Sequence, residues 1–300
     1  MKILFTGGSG LVGQELQKFF VDADFPSSSE LNLMEQNSID NYFKDKKFEY
    51  VVHLAAHVGS LHDNIRNRIE YFDKNIIMNT LITRKCADLK IPNFLGILSS
   101  CVYPDKVISF PIQEESLHQG IPHESLLSYS YAKRSHALQI DNYKNVLKLN
   151  YNYLIPCNMY GRVSKKHSGR THFVNDLVFK IVEAKRENHK LTLFGDGTPY
   201  RQFMHARDFA KIIYLYIKNR LSESFNVAPE INLTIKEYAE KALFTLALHD
   251  IPIEFDGSLP NGQLRKDVCN NKFRKYFKDY EFISLSEGFR ELYNFYEREE

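Results

Sequence analysis

Short apolar runs alternate with longer amphipathic segments over the first 150 residues of the chain. The runs Glu49–Leu54 and Asn93–Ser99 are continuously apolar and β-rich, which is typical of strands buried on both faces. Strands are predicted at Lys2–Thr6, Glu49–Leu54, Asn93–Ser99 and Val146–Leu149, and helices at 11–20, from Ser38, at Asn64–Leu89 and at Ser128–Tyr143. This alternation predicts an α/β fold with a doubly wound parallel sheet.

The pattern changes after about residue 155, where loops become longer and more polar. Further helices are predicted at Phe173–Lys185, Arg207–Lys218, Ile235–Leu248 and Leu285–Arg298. Two of them follow capping-box sequences, Thr234 with Glu237 and Ser284 with Glu287. The glycine-rich sequence Gly7–Gly13 follows the first predicted strand, as in nucleotide-binding domains. We therefore expect a nucleotide-binding domain over 1–155, with a later return segment near 203–220. A smaller α/β domain over 156–300 would mainly bind substrate.

Composition narrows the function classes. The chain has 300 residues, a formal net charge of +2 and 43% hydrophobic residues, so we expect a packed protein that does not bind nucleic acid. No apolar run approaches the ~18 residues of a membrane span, and Ile3–Phe5 is too short for a signal peptide. The cysteines Cys86, Cys101, Cys157 and Cys269 form no closely spaced pair, which favours a reduced, cytoplasmic protein.

A glycine-rich loop follows the first strand. Gly7, Gly10 and Gly13 form a G-x-x-G-x-x-G pattern between that strand and a helix. Only glycine lets the backbone turn this tightly and approach a pyrophosphate. A tight turn without a ligand is the alternative, but the strand–loop–helix context favours a dinucleotide site of Rossmann type, with Leu11 and Val12 also touching the cofactor.

The segment 24–30 bears on the adenosine end of such a cofactor. No Asp or Glu stands cleanly at a strand end there, as binding of the NAD ribose would require. Three serines, Ser28 among them, could hydrogen-bond a 2′-phosphate, although no arginine is present to clamp it. We therefore favour NADPH over NADH.

A serine, a tyrosine and a lysine form the candidate chemistry. Tyr129 and Lys133 are four residues apart on one helix face, and Ser99 ends a predicted strand. A lysine ammonium can stabilise a phenolate, so the three residues could bind and protonate a carbonyl oxygen while a nicotinamide delivers hydride. His53, His57 and His62 lack an accompanying carboxylate pattern, so we expect no metal site.

Longer motifs accompany these residues. They are His53–Gly59, Leu98–Pro104, Tyr129–Lys133, Pro156–Gly161 and Phe194–His205. With the glycine loop they resemble the extended short-chain dehydrogenase/reductase superfamily over nearly the whole chain. They look most like GDP-L-fucose synthases, the epimerase/reductases of GDP-4-keto-6-deoxymannose, and related GDP-4-keto-heptose reductases.

The resemblance implies a role for each matching position. Ser99, Tyr129 and Lys133 would be the reductase triad, with Tyr129 protonating the sugar O4 and Lys133 lowering the pKa of Tyr129. Cys101 and His172 would move protons at C3 and C5 of the sugar. Ala55, Ala56 and His57 would line the cofactor, and Asn158, Lys180 and Arg201 would hold a GDP-linked sugar. A homodimer and a role in making glycan precursors, as for capsule or lipopolysaccharide, are also implied.

Departures from the family pattern leave alternatives open. Ser28 stands where the family has an arginine, and His57 replaces a commoner basic or small residue. The changes at 58–60 and 164–171 fall around the sugar pocket and favour a substrate such as a 4-keto-6-deoxyheptose. They also leave open a reductase that keeps Cys101 and His172 unused. An NAD-dependent nucleotide-sugar 4-epimerase and a non-catalytic NADP-binding regulatory protein remain alternatives.

Overall fold

A computed structural model describes residues 1–163, 173–258 and 261–299. The described strands are β1 Ile3–Thr6, β2 Tyr50–His53, β3 Asn93–Ile97, β4 Asn150–Pro156, β5 Asn158–Tyr160, β6 Leu191–Phe194, β7 Tyr200–Arg201, β8 Phe203–His205, β9 Phe225–Val227, β10 Leu233–Thr234 and β11 Ile253–Asp256. The α-helices are α1 Leu11–Leu16, α2 Gln36–Phe43, α3 Leu61–Arg66, α4 Arg68–Asp88, α5 Leu127–Leu147, α6 Phe173–Glu187, α7 Ala206–Lys218, α8 Ile235–Thr245, α9 Asn271–Tyr276 and α10 Leu285–Arg298. Short 3-10 helices lie at Ser100–Val102, Glu114–His118 and Glu124–Leu126.

Five strands form the central sheet in the order β1-β2-β3-β4-β9, and every neighbouring pair is parallel. On the other side of β1, Asp24 forms an isolated parallel bridge with Leu4. The chain therefore leaves β1, pairs on one side at Asp24, and crosses to β2 on the other side. Such a reversal is the switch point at which doubly wound sheets bind ligands. The predicted doubly wound α/β fold is confirmed.

Alternate residues of the strands enter cores on opposite faces of the sheet. Phe5 and Val52 belong to a core with Phe209 of α7, whereas Leu4 and Val51 belong to the other core. Helix α4 packs against α5, and α1 packs against α7. Burial on both faces explains why the strands read as continuous apolar runs.

A third core forms among α6, α8, α10 and β6, with Leu177, Tyr238 and Phe289 fully buried. Helix α7 and strand β9 instead pack on the central sheet, although they lie late in the chain. The boundary between domains at 155 and 156 stays a prediction. The separate third core is the feature that supports it.

The predicted strand at Val146–Leu149 is wrong. Helix α5 continues to Leu147 and ends where Lys148 adopts the left-handed conformation, and β4 begins at Asn150. The strand pattern is interrupted by Asn152, which is buried because Lys144 Nζ donates to its Oδ1 at 2.6 Å. A polar residue with a partner can thus occupy a buried strand position that an apolar pattern would not predict.

The helix boundaries reflect local capping. The helix predicted over Asn64–Leu89 begins earlier and is interrupted at Asn67, which separates α3 from α4. Thr234 and Glu237 form both hydrogen bonds of a capping box at α8, whereas at α10 only the Ser284 side chain caps, accepting from the Glu287 amide. Among the described helices, none is both long and apolar enough to cross a membrane.

Candidate active site

The glycine loop packs against the end of β2. Gly7 has φ +78°, and a Cβ there would lie 2.7 Å from the amide nitrogen of Ala55. A Cβ on Gly13 would lie 2.4 Å from the carbonyl oxygen of Gly7. Both positions therefore require glycine, and the loop exposes bare backbone to the space beyond it.

That space is a cleft of about 910 Å³ at the carboxyl ends of the central strands. Its volume is in the range that proteins use to enclose organic ligands. Most of the predicted site residues line this one cleft: Gly7, Gly10, Leu11, Val12, Gly13, Ala55, Ala56, Ser99, Cys101, Tyr129, Lys133, Asn158 and Arg201. The glycine loop and the candidate chemistry thus share a single site.

The two residues on α5 differ in their environment. Lys133 is buried, and its Nζ donates a hydrogen bond to the carbonyl oxygen of Ile97 at 2.8 Å. Burial lowers the pKa of Lys133 to about 8. Burial raises the pKa of Tyr129, and the negative charge of a Cys101 thiolate raises it further. That Lys133 lowers the pKa of Tyr129 stays a prediction; the charge of Lys133 does lower the pKa of the buried His53 and His136. Burial holds Tyr129 as a phenol, the form that donates a proton.

Ser99 follows β3 and caps the short helix Ser100–Val102. Its Oγ accepts a hydrogen bond from the amide of Cys101 at 3.4 Å, which leaves its own hydroxyl proton available as a donor. Ser99 and Cys101 thus reach the cleft from the same turn, beside Tyr129. The arrangement offers two O–H donors and a thiol to one bound ligand.

Three predicted residues do not line the cleft. Ser28 is exposed in the turn after Asp24, where Ser27 donates from its amide and its hydroxyl to Glu30 Oε2 at 2.8 and 2.7 Å. These hydrogen bonds lower the pKa of Glu30, whose carboxylate lies in the turn and not at the end of a strand. Ser28 does not line the cleft, and its side chain is exposed to solvent.

His57 and Lys180 are held by other side chains. The His57 amide donates to Asn75 Oδ1 at 3.0 Å, and its ring lies 4.6 Å from the Tyr71 ring, so it faces α4. Lys180 Nζ lies 3.1 Å from Asp176 Oδ2 and 4.1 Å from the centre of the Phe194 ring. Asp176 and Phe194 line the cleft, whereas Lys180 lies behind them. His172 lies outside the described residues.

Arg201 presents a positive charge to the cleft. Its Nη1 donates to the carbonyl of Tyr200 at 2.7 Å, and burial lowers its pKa to about 10. Within the described parts of the chain no carboxylate forms an ion pair with it. A partly buried guanidinium without a described carboxylate partner suits an anionic ligand such as a diphosphate.

Sequence reasoning missed three polar residues of the cleft. Asn64 Oδ1 and Gln263 Nε2 are buried and have no hydrogen-bond partner among the described residues, and both residues line the cleft. Lys266 is 9% exposed and places Nζ 3.5 Å from Cys101 Sγ. Gln263 and Lys266 belong to no motif, because they reach the site only through folding of the segment 261–269 back onto the sheet.

The unpartnered atoms indicate a polar ligand. A buried acceptor on Asn64 and a buried donor on Gln263 would each gain free energy from a ligand hydroxyl or amide. Among the residues that the structure describes, no group of three or more His, Cys, Asp or Glu side chains is placed to hold a metal ion.

Comparison with known proteins agrees with this geometry. The chain is 32% identical over 300 residues to "GDP-L-fucose synthase" of Dictyostelium discoideum, covering 96% of this chain and 93% of that protein. The structure of a GDP-L-fucose synthetase from Naegleria fowleri bound to NADP aligns with a TM-score of 0.84 at 25% identity, covering 98% and 92% of the two chains.

The structure of a GDP-6-OMe-4-keto-L-xylo-heptose reductase from C. jejuni aligns with a TM-score of 0.88 over 99% of this chain and 97% of that one. At 20% identity this likeness concerns the fold. The model of the NAD dependent epimerase/dehydratase family matches residues 3–228. With its glycine loop, its Ser99, Tyr129 and Lys133 set and this match, the chain belongs to the NAD dependent epimerase/dehydratase family.

Proposed function

We propose that the protein is an NADPH-dependent 4-ketoreductase of a GDP-linked 4-keto-6-deoxy sugar. The observation that carries the proposal is the meeting of Ser99, Tyr129 and Lys133 with the glycine loop in one cleft. The relatives named above act on GDP-sugars or carry NADP, as their names state. Binding, orientation and proton transfer are the parts of the reaction that the chain itself supplies.

The residues of the cleft fit a dinucleotide. Gly7 and Gly13 leave the backbone open to a pyrophosphate, since any side chain there would collide with Ala55 or with the loop itself. NADPH supplies the hydride for C4 of the sugar when it is bound. The 2′-phosphate end has hydroxyl donors in Ser27–Ser29 and the nearby carboxylate of Glu30, so its contacts are weaker than an arginine would provide.

Tyr129 serves as the proton donor to the sugar O4. Its raised pKa keeps the phenol protonated at neutral pH, and the free hydroxyl proton of Ser99 can donate to the same carbonyl oxygen. Two O–H donors aimed at one oxygen stabilise the charge that develops there as hydride reaches the carbon. Lys133 positions Tyr129 by tying α5 to the Ile97 carbonyl.

The substrate class follows from charge and from unpartnered polar atoms. Arg201 provides a cation for the diphosphate, and Asn64 and Gln263 provide an acceptor and a donor for hydroxyl groups. The sugar is a hexose or a heptose, and the departures from the family pattern at 58–60 and 164–171 favour a 4-keto-6-deoxyheptose. We also propose that Cys101, with His172, exchanges protons at C3 and C5, because the C4 ketone acidifies those positions.

The test is NADPH oxidation with GDP-4-keto-6-deoxymannose in D₂O, followed by NMR of the product. We expect oxidation of NADPH together with deuterium at C3 or C5. Oxidation without deuterium above a no-enzyme control would contradict the role of Cys101 and His172 and leave a simple reductase. Absence of oxidation with both hexose and heptose substrates would overturn the reductase and favour the NAD-dependent 4-epimerase, which would carry tightly bound NAD.

We further propose a homodimer formed through α4 and α5. These helices pack against each other and expose apolar side chains: Ile69, Phe72, Leu138 and Val146 are 78%, 38%, 54% and 75% exposed. A second copy packed on this face would bury them. Sedimentation should give a mass near twice 35.1 kDa, and a monomer at micromolar concentration would contradict the proposal.

We propose the cytoplasm as the compartment, which is supported by the four cysteines being free thiols.

A further inference from the structure

Lys266 occupies an unusual place in the cleft. It is 9% exposed, and its one described hydrogen bond runs from Nζ to Cys101 Sγ at 3.5 Å. The neighbouring carboxylate of Asp267 is paired with Arg265, whose Nε lies 2.6 Å from Asp267 Oδ1. Among the described residues no carboxylate pairs with this ammonium, and burying an unpaired charge is unfavourable, so an apolar residue would be more stable here.

The backbone fixes the position of this ammonium. The amide of Ile112 donates to the carbonyl of Asp267 at 2.8 Å, and the amide of Val268 donates to Gln202 Oε1 at 2.8 Å. The two residues after Lys266 are thus tied to the loop before the 3-10 helix Glu114–His118 and to Gln202, between β7 and β8. Lys266 is therefore held beside Cys101 by the fold and does not reach it as a mobile surface side chain.

Cys101 is the thiol that can respond to this charge. Cys101 and Cys157 both line the cleft, but Cys86, Cys157 and Cys269 are buried, whereas Cys101 is partly exposed. Burial raises the pKa of Cys157, against the opposing effect of the Lys266 charge, so Cys157 stays a thiol. An ammonium beside a thiol favours the thiolate, which is the form that can remove a proton from carbon.

We propose that Lys266 is the positioning residue of Cys101: its ammonium donates a hydrogen bond to the sulfur and stabilises negative charge there. The inference rests on the proposed function in one respect, the removal of a proton next to a sugar ketone. In that step the Cys101 sulfur lone pair takes the proton and becomes S–H, the C–H electrons move into the enolate, and the negative charge passes from sulfur to the sugar O4. The charge of Lys266 is unchanged throughout.

The other charged groups around Cys101 do not replace Lys266. Negative charge on Cys101 also raises the pKa of Arg201 on β7. Arg201, however, faces the place proposed for the diphosphate, so bound substrate would neutralise its charge. Tyr129 on α5 faces Cys101 as well, and the thiolate charge raises its pKa. Lys266 thus supplies the positive charge that remains beside the sulfur after the substrate binds.

The experiment measures alkylation of Cys101 by neutral iodoacetamide across pH 5 to 10 in the substrate-free protein, with the site located by mass spectrometry. Lys266→Met should lower the rate at pH 7 about tenfold and move the rise of the rate to higher pH. Lys266→Arg should restore most of the rate because it restores the charge. Lys236→Met, which removes a surface ammonium beside Glu240, is the matched control, and Cys101→Ser gives the background.

A second readout separates this inference from the proposed function. Lys266→Met should lower deuterium incorporation at C3 or C5 by a similar factor while the KM for the GDP-sugar is unchanged. Equal alkylation rates in the wild type and Lys266→Met would overturn the proposal, as would slowed alkylation with undiminished deuterium incorporation. If Lys266→Met slows alkylation but the wild type incorporates no deuterium at C3 or C5, the interaction of Lys266 with Cys101 is supported and the proposed epimerisation is contradicted. Circular dichroism of each variant shows that it is folded.

Discussion

Lys133 Nζ lies 2.8 Å from the carbonyl oxygen of Ile97, so a buried ammonium ties helix α5 to the end of strand β3. Tyr129 lies one helical turn before Lys133, and Ser99 lies two residues after Ile97. The contact therefore sets the distance between the two groups that would act on the sugar O4. It also explains why a charged residue is buried at a site where it has no carboxylate partner.

Replacing Lys133 with methionine should raise stability and abolish activity. Burial lowers the pKa of Lys133 from 10.5 to about 8, so the folded state disfavours its charge. This group therefore lowers stability below about pH 8, and the penalty disappears as pH rises toward the unfolded value of about 10.5. We expect Lys133→Met to gain about 2 kcal/mol at pH 7 and little at pH 10.5.

Urea denaturation at the two pH values, with NADPH oxidation alongside, measures this effect. Lys211→Met, which removes a lysine from the exposed side of α7, is the control and should change neither quantity. A loss of stability in Lys133→Met at pH 7 would show that the hydrogen bond to Ile97 outweighs the desolvation of the ammonium.

Tyr129→Phe should reduce the rate of ketone reduction by about 10²- to 10⁴-fold, the usual contribution of a positioned proton donor. Binding of NADPH should persist, because the glycine loop is untouched. Tyr131→Phe is a matched control, since that partly exposed tyrosine lies two residues along the same helix and off the cleft wall. Single-turnover measurement of NADPH oxidation gives the rate, and an undiminished rate would remove Tyr129 from the mechanism.

The part of the site that the sequence predicted is the part made by local geometry. Gly7 and Gly13 are required by one strand–loop–helix turn, and Tyr129 and Lys133 share a helix face, so spacing alone places them. Lys266 could not be found in this way. Its proximity to Cys101 spans 165 residues and depends on hydrogen bonds to Ile112 and Gln202, which no local pattern encodes.

In the fold, too, local sequence patterns predicted some elements and missed others. Apolar runs located β2 and β3 because both faces of those strands are buried. They failed at β4, where Asn152 is buried and accepts a hydrogen bond from Lys144. A polar contact between two side chains replaces the apolar pattern there. The role of Ser28 stays a prediction, because it depends on where a cofactor lies against an exposed turn.

Folding stability should fall as pH decreases below about 6.5. His53 lies between Thr6 and Asn79, with Nδ1 2.7 Å from Thr6 Oγ1 and Nε2 3.0 Å from Asn79 Oδ1. Burial lowers its pKa to about 3, and the charge of Lys133 adds to the effect. A lowered folded-state pKa means that the stability is complete above the unfolded value of about 6.5 and is lost as pH falls toward 3.

The loss should approach 1.4 kcal/mol per pH unit for His53, and burial lowers the pKa of His136 in the same direction. His53→Gln should be less stable at pH 7.5 but should lose less stability between pH 7 and pH 5. Thermal unfolding followed by circular dichroism gives both slopes. His249→Asn, at an exposed histidine, should keep the wild-type slope. A slope unchanged by His53→Gln would exclude His53 as the origin of the acid sensitivity.

The turn at Ser28 should decide how strongly the protein prefers NADPH. Ser27 and Glu30 are already engaged with each other there, and Glu30 keeps its negative charge because its hydrogen bonds with Ser27 lower its pKa. A 2′-phosphate would therefore meet hydroxyl groups and a carboxylate, with no guanidinium in the turn. Ser28→Arg would place a delocalised cation on this exposed position, where it can form paired hydrogen bonds with a phosphate.

We expect Ser28→Arg to lower the KM for NADPH by about tenfold and to leave the KM for NADH within about twofold, since only NADPH carries the phosphate. Raising the salt concentration should diminish the gain, because the new contact is exposed. Ser28→Ala is the control and should leave both constants near the wild-type values. An equal improvement with NADH would mean that the arginine acts on the adenine or ribose, and the turn would then not be the place where the 2′-phosphate binds.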